Sequence, residues 1–226
     1  MGPYRIIYAD PPWNYNDKRK GNGGAADHYG TTKTSDLAQM DVASLAAKDS
    51  VLFMWATWPC LKDAFELFAA WGFKYKTCGF NWIKTYPKSV DKLVVGLGHH
   101  TRGNSEICLI GVRGKGVPRI DKSIQQVQIA DVINALDFPE EDLRELPQTA
   151  IHPRGAHSAK PVSIREEIEK LYGITEENSH EFPRLEMFAR YTAPGWDVFG
   201  NEAPGTIEMP LKDWPPRLPK PKESAA

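Results

Sequence analysis

The chain has 226 residues, 41% of them hydrophobic, which is enough for one ordinary globular domain with a real core and too little for two enzymes. Its 28 lysines and arginines almost balance 29 aspartates and glutamates, so bulk charge announces no polyanionic partner and any such surface must be a local patch. The three cysteines, Cys60, Cys78 and Cys108, are odd in number and widely spaced, which excludes a disulfide framework.

At the start of the chain only a few apolar residues follow Arg5, far short of a signal peptide or a membrane span, so the protein is expected inside the cell and off the membrane. Short apolar runs then recur at 6–9, 51–56, 78–83, 107–112, 185–189 and 196–199. Runs of this length suit strands buried on both faces. Helical spacing appears at 61–71, with Leu61, Ala64, Phe65 and Phe68 on one side, and at 162–171, with Ile164, Ile168 and Leu171 aligned. Alternating strand and helix predicts an α/β fold. Three stretches break the rhythm. Residues 14–33 are polar and glycine-rich, the composition of a loop over a site or of a plain surface connection. Residues 137–148 are acidic and flanked by prolines. From Pro204 the chain is a proline-rich tail. One domain, 1–203, followed by a tail, 204–226, is therefore expected.

Immediately after the first apolar run stands Asp10-Pro11-Pro12-Trp13, at the carboxyl end of a predicted strand, where open α/β sheets place their ligands. The amine of a nucleobase is a poor nucleophile because its lone pair is delocalised into the ring. Two fixed acceptors that draw its N–H bonds out of that plane restore the lone pair. The Asp10 carboxylate and the Pro11 carbonyl, on a backbone stiffened by Pro11 and Pro12, can serve as such a pair, and Trp13 offers a flat face for the base. The alternative is a plain turn with Trp13 in the core.

The string also carries a resemblance. It resembles the signature of the adenine N6-methyltransferases typified by the eukaryotic messenger-RNA adenosine methyltransferase, with bacterial and phage DNA-modifying relatives. The likeness continues in order through 28–32 (His-Tyr-Gly-Thr-Thr), 82–85 (Trp-Ile-Lys-Thr), 98–114, Ala159-Lys160-Pro161, 185–190 (Leu-Glu-Met-Phe-Ala-Arg) and 195–202. It implies a Rossmann-like methyltransferase sheet with helices on both faces and a permuted order, the base-holding strand first and the cofactor strands last. It also implies S-adenosylmethionine as cofactor, DNA favoured over RNA as polymer, a setting such as restriction–modification in a bacterium or phage, and a possible homodimer. By this likeness Lys160, Arg190 and Asn201, with Asp10, hold the cofactor and Phe188 lines its adenine, while Tyr29 and Lys84 join the substrate side. Glu202, just past a predicted strand end, is placed to accept two hydrogen bonds from a ribose diol.

One departure from a generic dinucleotide site is plain, since no Gly-x-Gly-x-x-Gly follows Glu186. Taken singly, Lys160 could merely open a helix, and Arg190 and Glu202 could face water. Between Lys84 and Lys122 eight cations (Lys84, Lys88, Lys92, Arg102, Arg113, Lys115, Arg119, Lys122) stand against three anions (Asp91, Glu106, Asp121), a stretch that reads as a phosphate-tracking basic loop or a solvated one. His99 and His100 lack partners at metal spacing, so no metal site is expected. Within the same chemistry, RNA adenine and cytosine N4 are alternative targets. A non-catalytic partner subunit is the alternative outside it, and its mark would be a degraded Asp-Pro-Pro-Trp.

Overall fold

The computed structural model describes residues 2–14, 31–86, 89–95, 100–131, 160–200, 203 and 205. They fall into two compact units. The first comprises 1–77, 109–118 and 175–226, the second 78–108 and 119–174. The elements in chain order are β1 (Tyr4–Ala9), α1 (Thr34–Leu37), α2 (Val42–Leu45), β2 (Ala46–Ala56), α3 (Leu61–Ala70), β3 (Lys74–Tyr86), β4 (Ser89–Leu93), β5 (Ser105–Arg113), β6 (Val127–Asp131), α4 (Ser163–Tyr172), β7 (Arg184–Met187) and β8 (Asp197–Phe199). Each of the six apolar runs lies in or overlaps a strand. β4 and β6 are additional, and β3 extends well past its apolar stretch.

In the first unit the strands run in the order β2-β1-β7-β8, every pair parallel. The register sets Ala9 beside Met54 on one side and beside Met187 on the other, so the carboxyl ends of these strands share one edge. Burial explains why they are so apolar. Ile6 and Ile7 of β1 and 51–56 of β2 are essentially inaccessible, as befits parallel strands covered on both faces. Tyr4 opens β1 and donates its hydroxyl to Asp197 Oδ2 at 2.7 Å, which ties β1 to β8 across β7. Burial, and then that bond to the carboxylate, push the Tyr4 phenol far above its ordinary pKa. The first strand thus lies inside this sheet with the last two strands beside it, and the fold is a mixed α/β one of Rossmann-like type with the permuted order expected.

Helix α3 buries Ala64, Leu67 and Phe68, followed by Trp71, whose indole donates to the Leu37 carbonyl at 2.9 Å. Phe65, which the spacing put on the buried side, is 40% exposed and instead meets Tyr75 edge-on. The buried stripe is rotated by one position because Leu67 and Trp71 complete the i, i+3, i+4, i+7 pattern with Ala64 and Phe68.

In the second unit β3 pairs with β4 antiparallel and with β6 parallel. Helix α4 buries Ile164, Ile168 and Tyr172, with Tyr172 rather than Leu171 continuing the i+4 series. It stops at Gly173, whose φ of 64° is the left-handed cap that glycine adopts without steric cost. Residues 84–122, the basic stretch, carry the end of β3, all of β4 and β5, so the stretch is not one loop. Within this stretch Arg113 donates to the Ala43 carbonyl and Lys84 is largely buried, so the cations do not form one solvated run. Residues 15–30, the acidic 137–148 segment, Lys88, His99 and the tail beyond 205 lie outside the described residues.

Candidate active site

The parallel order in the first unit contains a reversal. From β1 the chain moves to β2 on one side and later to β7 on the other, so the crevice at the carboxyl ends of β1 and β7 is a topological switch point. Asp10 stands there. Its amide donates to the Met187 carbonyl at 3.4 Å, joining the end of β1 to the end of β7, and its side chain is partly exposed.

Beyond Asp10 the motif is held from two directions. Trp13 N donates to the Pro11 carbonyl at 2.8 Å, a tight local turn, and Thr32 N donates to the Pro12 carbonyl at 2.9 Å. Trp13 and Thr32 form an isolated parallel bridge. The Trp13 ring is 5% exposed and its N–H donates to the Trp55 carbonyl at 3.0 Å; Trp55 in turn donates to the Tyr8 hydroxyl at 2.6 Å. This relay pins the string to β1 and β2. It corrects the reading of Trp13 as an open stacking face, because a ring committed to a buried hydrogen bond and covered to this degree serves as an anchor. The Pro11 carbonyl spends one lone pair on Trp13 N and keeps a second for another donor. Thr32 is buried, and its hydroxyl has no hydrogen-bond partner among the described residues. Such a group costs about 1–3 kcal/mol unless something else satisfies it.

At the end of β7 the chain turns through Phe188, the one non-glycine residue with positive φ (63°) among the described residues. A phenylalanine held there costs about 1–2 kcal/mol, so the surroundings must impose it. They do. The Phe188 ring stacks on Trp71 at 6.5 Å between centroids and meets Phe199 edge-on at 6.3 Å, while Ala189 N donates to the Phe199 carbonyl at 2.9 Å. The approach is so close that a Cβ on Gly200 would lie 2.0 Å from the Ala189 carbonyl oxygen, and only glycine fits. Phe188 and Arg190 are each half-buried on this turn, on the edge that carries Asp10. Asn201 and Glu202, directly after Gly200, lie outside the described residues, as does Tyr29.

In the second unit, Lys84 and Lys160 meet on one carboxylate. Lys160 Nζ is 3.2 Å from Glu106 Oε2, and Lys84 Nζ bonds Glu106 Oε1 while lying 4.8 Å above the Trp82 ring. Glu106 is 7% exposed. Burial alone would raise its pKa, but Lys160 and then Lys84 outweigh it and hold the carboxyl below its ordinary value, so the cluster is Lys⁺–Glu⁻–Lys⁺ with one net positive charge. The sequence singled out both lysines and gave Glu106 no role. The missing signal was spatial, since 22 residues separate Lys84 from Glu106.

Comparison with known proteins bears on this arrangement. The MT-A70 family model matches residues 4–202. The chain belongs to the MT-A70 family. Among its relatives, the type II methyltransferase M.MunI of a Mycoplasma species is 32% identical over 92% of this chain and 82% of its own length. An N(6)-adenosine-methyltransferase MT-A70-like protein of Arabidopsis thaliana is 26% identical over 91% of the chain and 24% of its own. The human N(6)-adenosine-methyltransferase catalytic subunit METTL3 is 24% identical over 91% of the chain and 29% of its own. The chain therefore spans less than a third of these plant and human relatives and most of the Mycoplasma one. Among the described residues, no helix is long and apolar enough to cross a membrane.

Proposed function

We propose that the protein is a methyltransferase that moves the methyl group of S-adenosylmethionine to the N6 amine of adenine in DNA, as a site-specific modifying enzyme. The observation that supports this most is the position of Asp10-Pro11-Pro12-Trp13 at the switch point of a parallel sheet, where Trp13 and Thr32 pin the backbone that bears the Asp10 carboxylate and the Pro11 carbonyl. Bound there, S-adenosylmethionine supplies an electrophilic methyl on a sulfonium, which asks for alignment more than for acid or base strength. Asp10 and Pro11 accept the two amine hydrogens and turn the nitrogen lone pair toward that methyl. Trp13 holds the string in place, and Pro12 stiffens it.

The residues at the edge of the first unit fit the cofactor. An aromatic ring at Phe188 suits its adenine and the Arg190 guanidinium its carboxylate; Asn201 and Glu202, outside the described residues, are assigned to its ribose from the sequence alone. Lys160 and Lys84, joined by Glu106 in the second unit, are assigned on the resemblance alone, Lys160 to the cofactor and Lys84 to the substrate. Tyr29 is assigned to the base. The functional domain is 1–203, and pairing of two copies, implied by the resemblance, belongs to the same reading and is measured by light scattering.

DNA is favoured because the likeness to M.MunI covers most of both chains. RNA is the second reading, favoured by the plant and human relatives named for adenosine N6 methylation. Incubating the full chain with labelled S-adenosylmethionine and DNA or RNA side by side, followed by digestion and mass spectrometry of the nucleosides, separates them. N6-methyladenine from DNA is the expected product; label only in RNA, or only N4-methylcytosine, refutes the proposal.

A further inference from the structure

The charges of the whole chain nearly cancel, so a nucleic-acid strand must be drawn to the first unit by cations close to its site. The Asp10 carboxylate sharpens that demand, because it repels phosphate at the edge where the base is to be bound. Lys33 is placed to meet it. It directly follows Thr32, whose N–H donates to the Pro12 carbonyl at 2.9 Å and which forms the bridge to Trp13. On its other side the Lys33 carbonyl accepts from Asp36 N at 3.0 Å and Leu37 N at 3.1 Å, and Leu37 is fully buried. The backbone of Lys33 is thus fixed from both directions, one residue from a bond to the motif, while its side chain is exposed. Among the described residues its ammonium forms no ion pair. Asp36, the nearest acid along the chain, instead accepts from the Ser35 hydroxyl at 3.3 Å. Lys62, by contrast, approaches Glu66 at 3.9 Å. A solvated lysine is ordinary on a protein surface. One tied through its backbone to the ligand-bearing string, next to a buried Thr32 hydroxyl that also lacks a hydrogen-bond partner, stands where whatever that string binds will pass.

We propose, on the basis of the function inferred above, that Lys33 contacts a backbone phosphate beside the target adenine and seats the strand against Asp10-Pro11-Pro12. An enzyme that works on a base amine must take that base out of the stack, and the backbone next to it shifts as it leaves. A compact ammonium on a flexible stem meets a phosphate as a point charge and can follow that shift. Such a contact fixes where the strand lies and reads no base, so Lys33 sets affinity and placement and leaves the choice of sequence to other residues.

The test uses the full chain and a dye-labelled, adenine-containing DNA duplex, with affinity read by anisotropy at several salt concentrations. Each neutralised phosphate releases counterions, so Lys33→Gln is expected to reduce the slope of log affinity against log salt by about 0.9. At low salt its binding should weaken about 2- to 5-fold, the range of one exposed ion pair, with an unchanged thermal midpoint showing that it folds. Lys33→Arg keeps the charge and should restore both readouts. Lys74→Gln removes an exposed lysine of the same unit beyond the carboxyl end of α3 and should leave the slope as in wild type. Equal slopes in wild type and Lys33→Gln overturn the assignment of Lys33 alone, and so does an equal loss in Lys74→Gln, which would make the effect one of bulk charge. Wild-type protein that binds the duplex but methylates no nucleic acid refutes the enzyme reading, while the Lys33 comparison still decides the phosphate contact. Wild-type protein that binds no duplex overturns both.

Discussion

The string after β1 and the lysine cluster of the second unit are two ways of pre-setting polar groups. At β1 the work is done by neighbours in sequence: two prolines stiffen the backbone, and a tryptophan three residues past the aspartate buries its ring and bonds the next strand. In the lysine cluster one buried carboxylate holds two ammonium groups brought from distant parts of the chain, and the arrangement stands on electrostatics. The first rests on backbone stiffness and a buried hydrogen bond. The second is a charged assembly out of water, where removing one member leaves the others uncompensated.

The contrast is broken most severely at Glu106. Glu106→Gln leaves two largely buried ammonium groups on a neutral amide and is expected to cost about 3–5 kcal/mol in urea unfolding. The pH dependence has a definite sign. Because the folded protein holds this carboxyl below its ordinary value, its stabilisation is complete above the unfolded pKa and is lost as pH falls through the folded one. Wild-type stability should therefore drop on acidification below the usual carboxylate range, and Glu106→Gln should flatten that part of the profile. A variant as acid-sensitive as wild type would remove Glu106 from the account.

Next in size is Asp10→Ala. Loss of a fixed acceptor for the reacting amine should lower kcat by about 10²–10³-fold, the scale of deleting one aligned polar group from a transition state. Full activity in this variant would dismiss the orienting role. The smallest expected effect is at Trp13. Trp13→Phe keeps most of the buried ring and removes the donor to the Trp55 carbonyl, for about 1–3 kcal/mol of thermal stability. Because this residue anchors, kcat should fall along with stability while KM for nucleic acid changes little. A selective rise in KM would restore the stacking role that its burial argues against.

Much of the fold was legible early because parallel strands buried on both faces must be apolar throughout, and the six runs stood out for that reason. β4 (Ser89–Leu93) and β6 (Val127–Asp131) escaped because short strands with exposed positions, such as Val127 and Ile129, carry no such run. The helical stripes were found and misplaced by a position at Phe65 and Leu171, since spacing defines a face but not its centre. Asp10 was legible as a candidate from its neighbours alone, and Lys160 and Arg190 only through a likeness extending over most of the chain.

By itself, the sequence determined what depends on residues close along the chain: the strand runs, the stiff Asp10-Pro11-Pro12 bend and the ordered blocks that mark the family. Tertiary structure alone decided which way the Trp13 ring turned, that Phe188 sits at positive φ against Trp71 and Phe199, and that one buried glutamate unites Lys84 with Lys160. The division follows from the physics. Backbone stiffness and hydrophobic period act over a few residues, whereas burial and charge pairing depend on distances that exist only once the strands have found their partners.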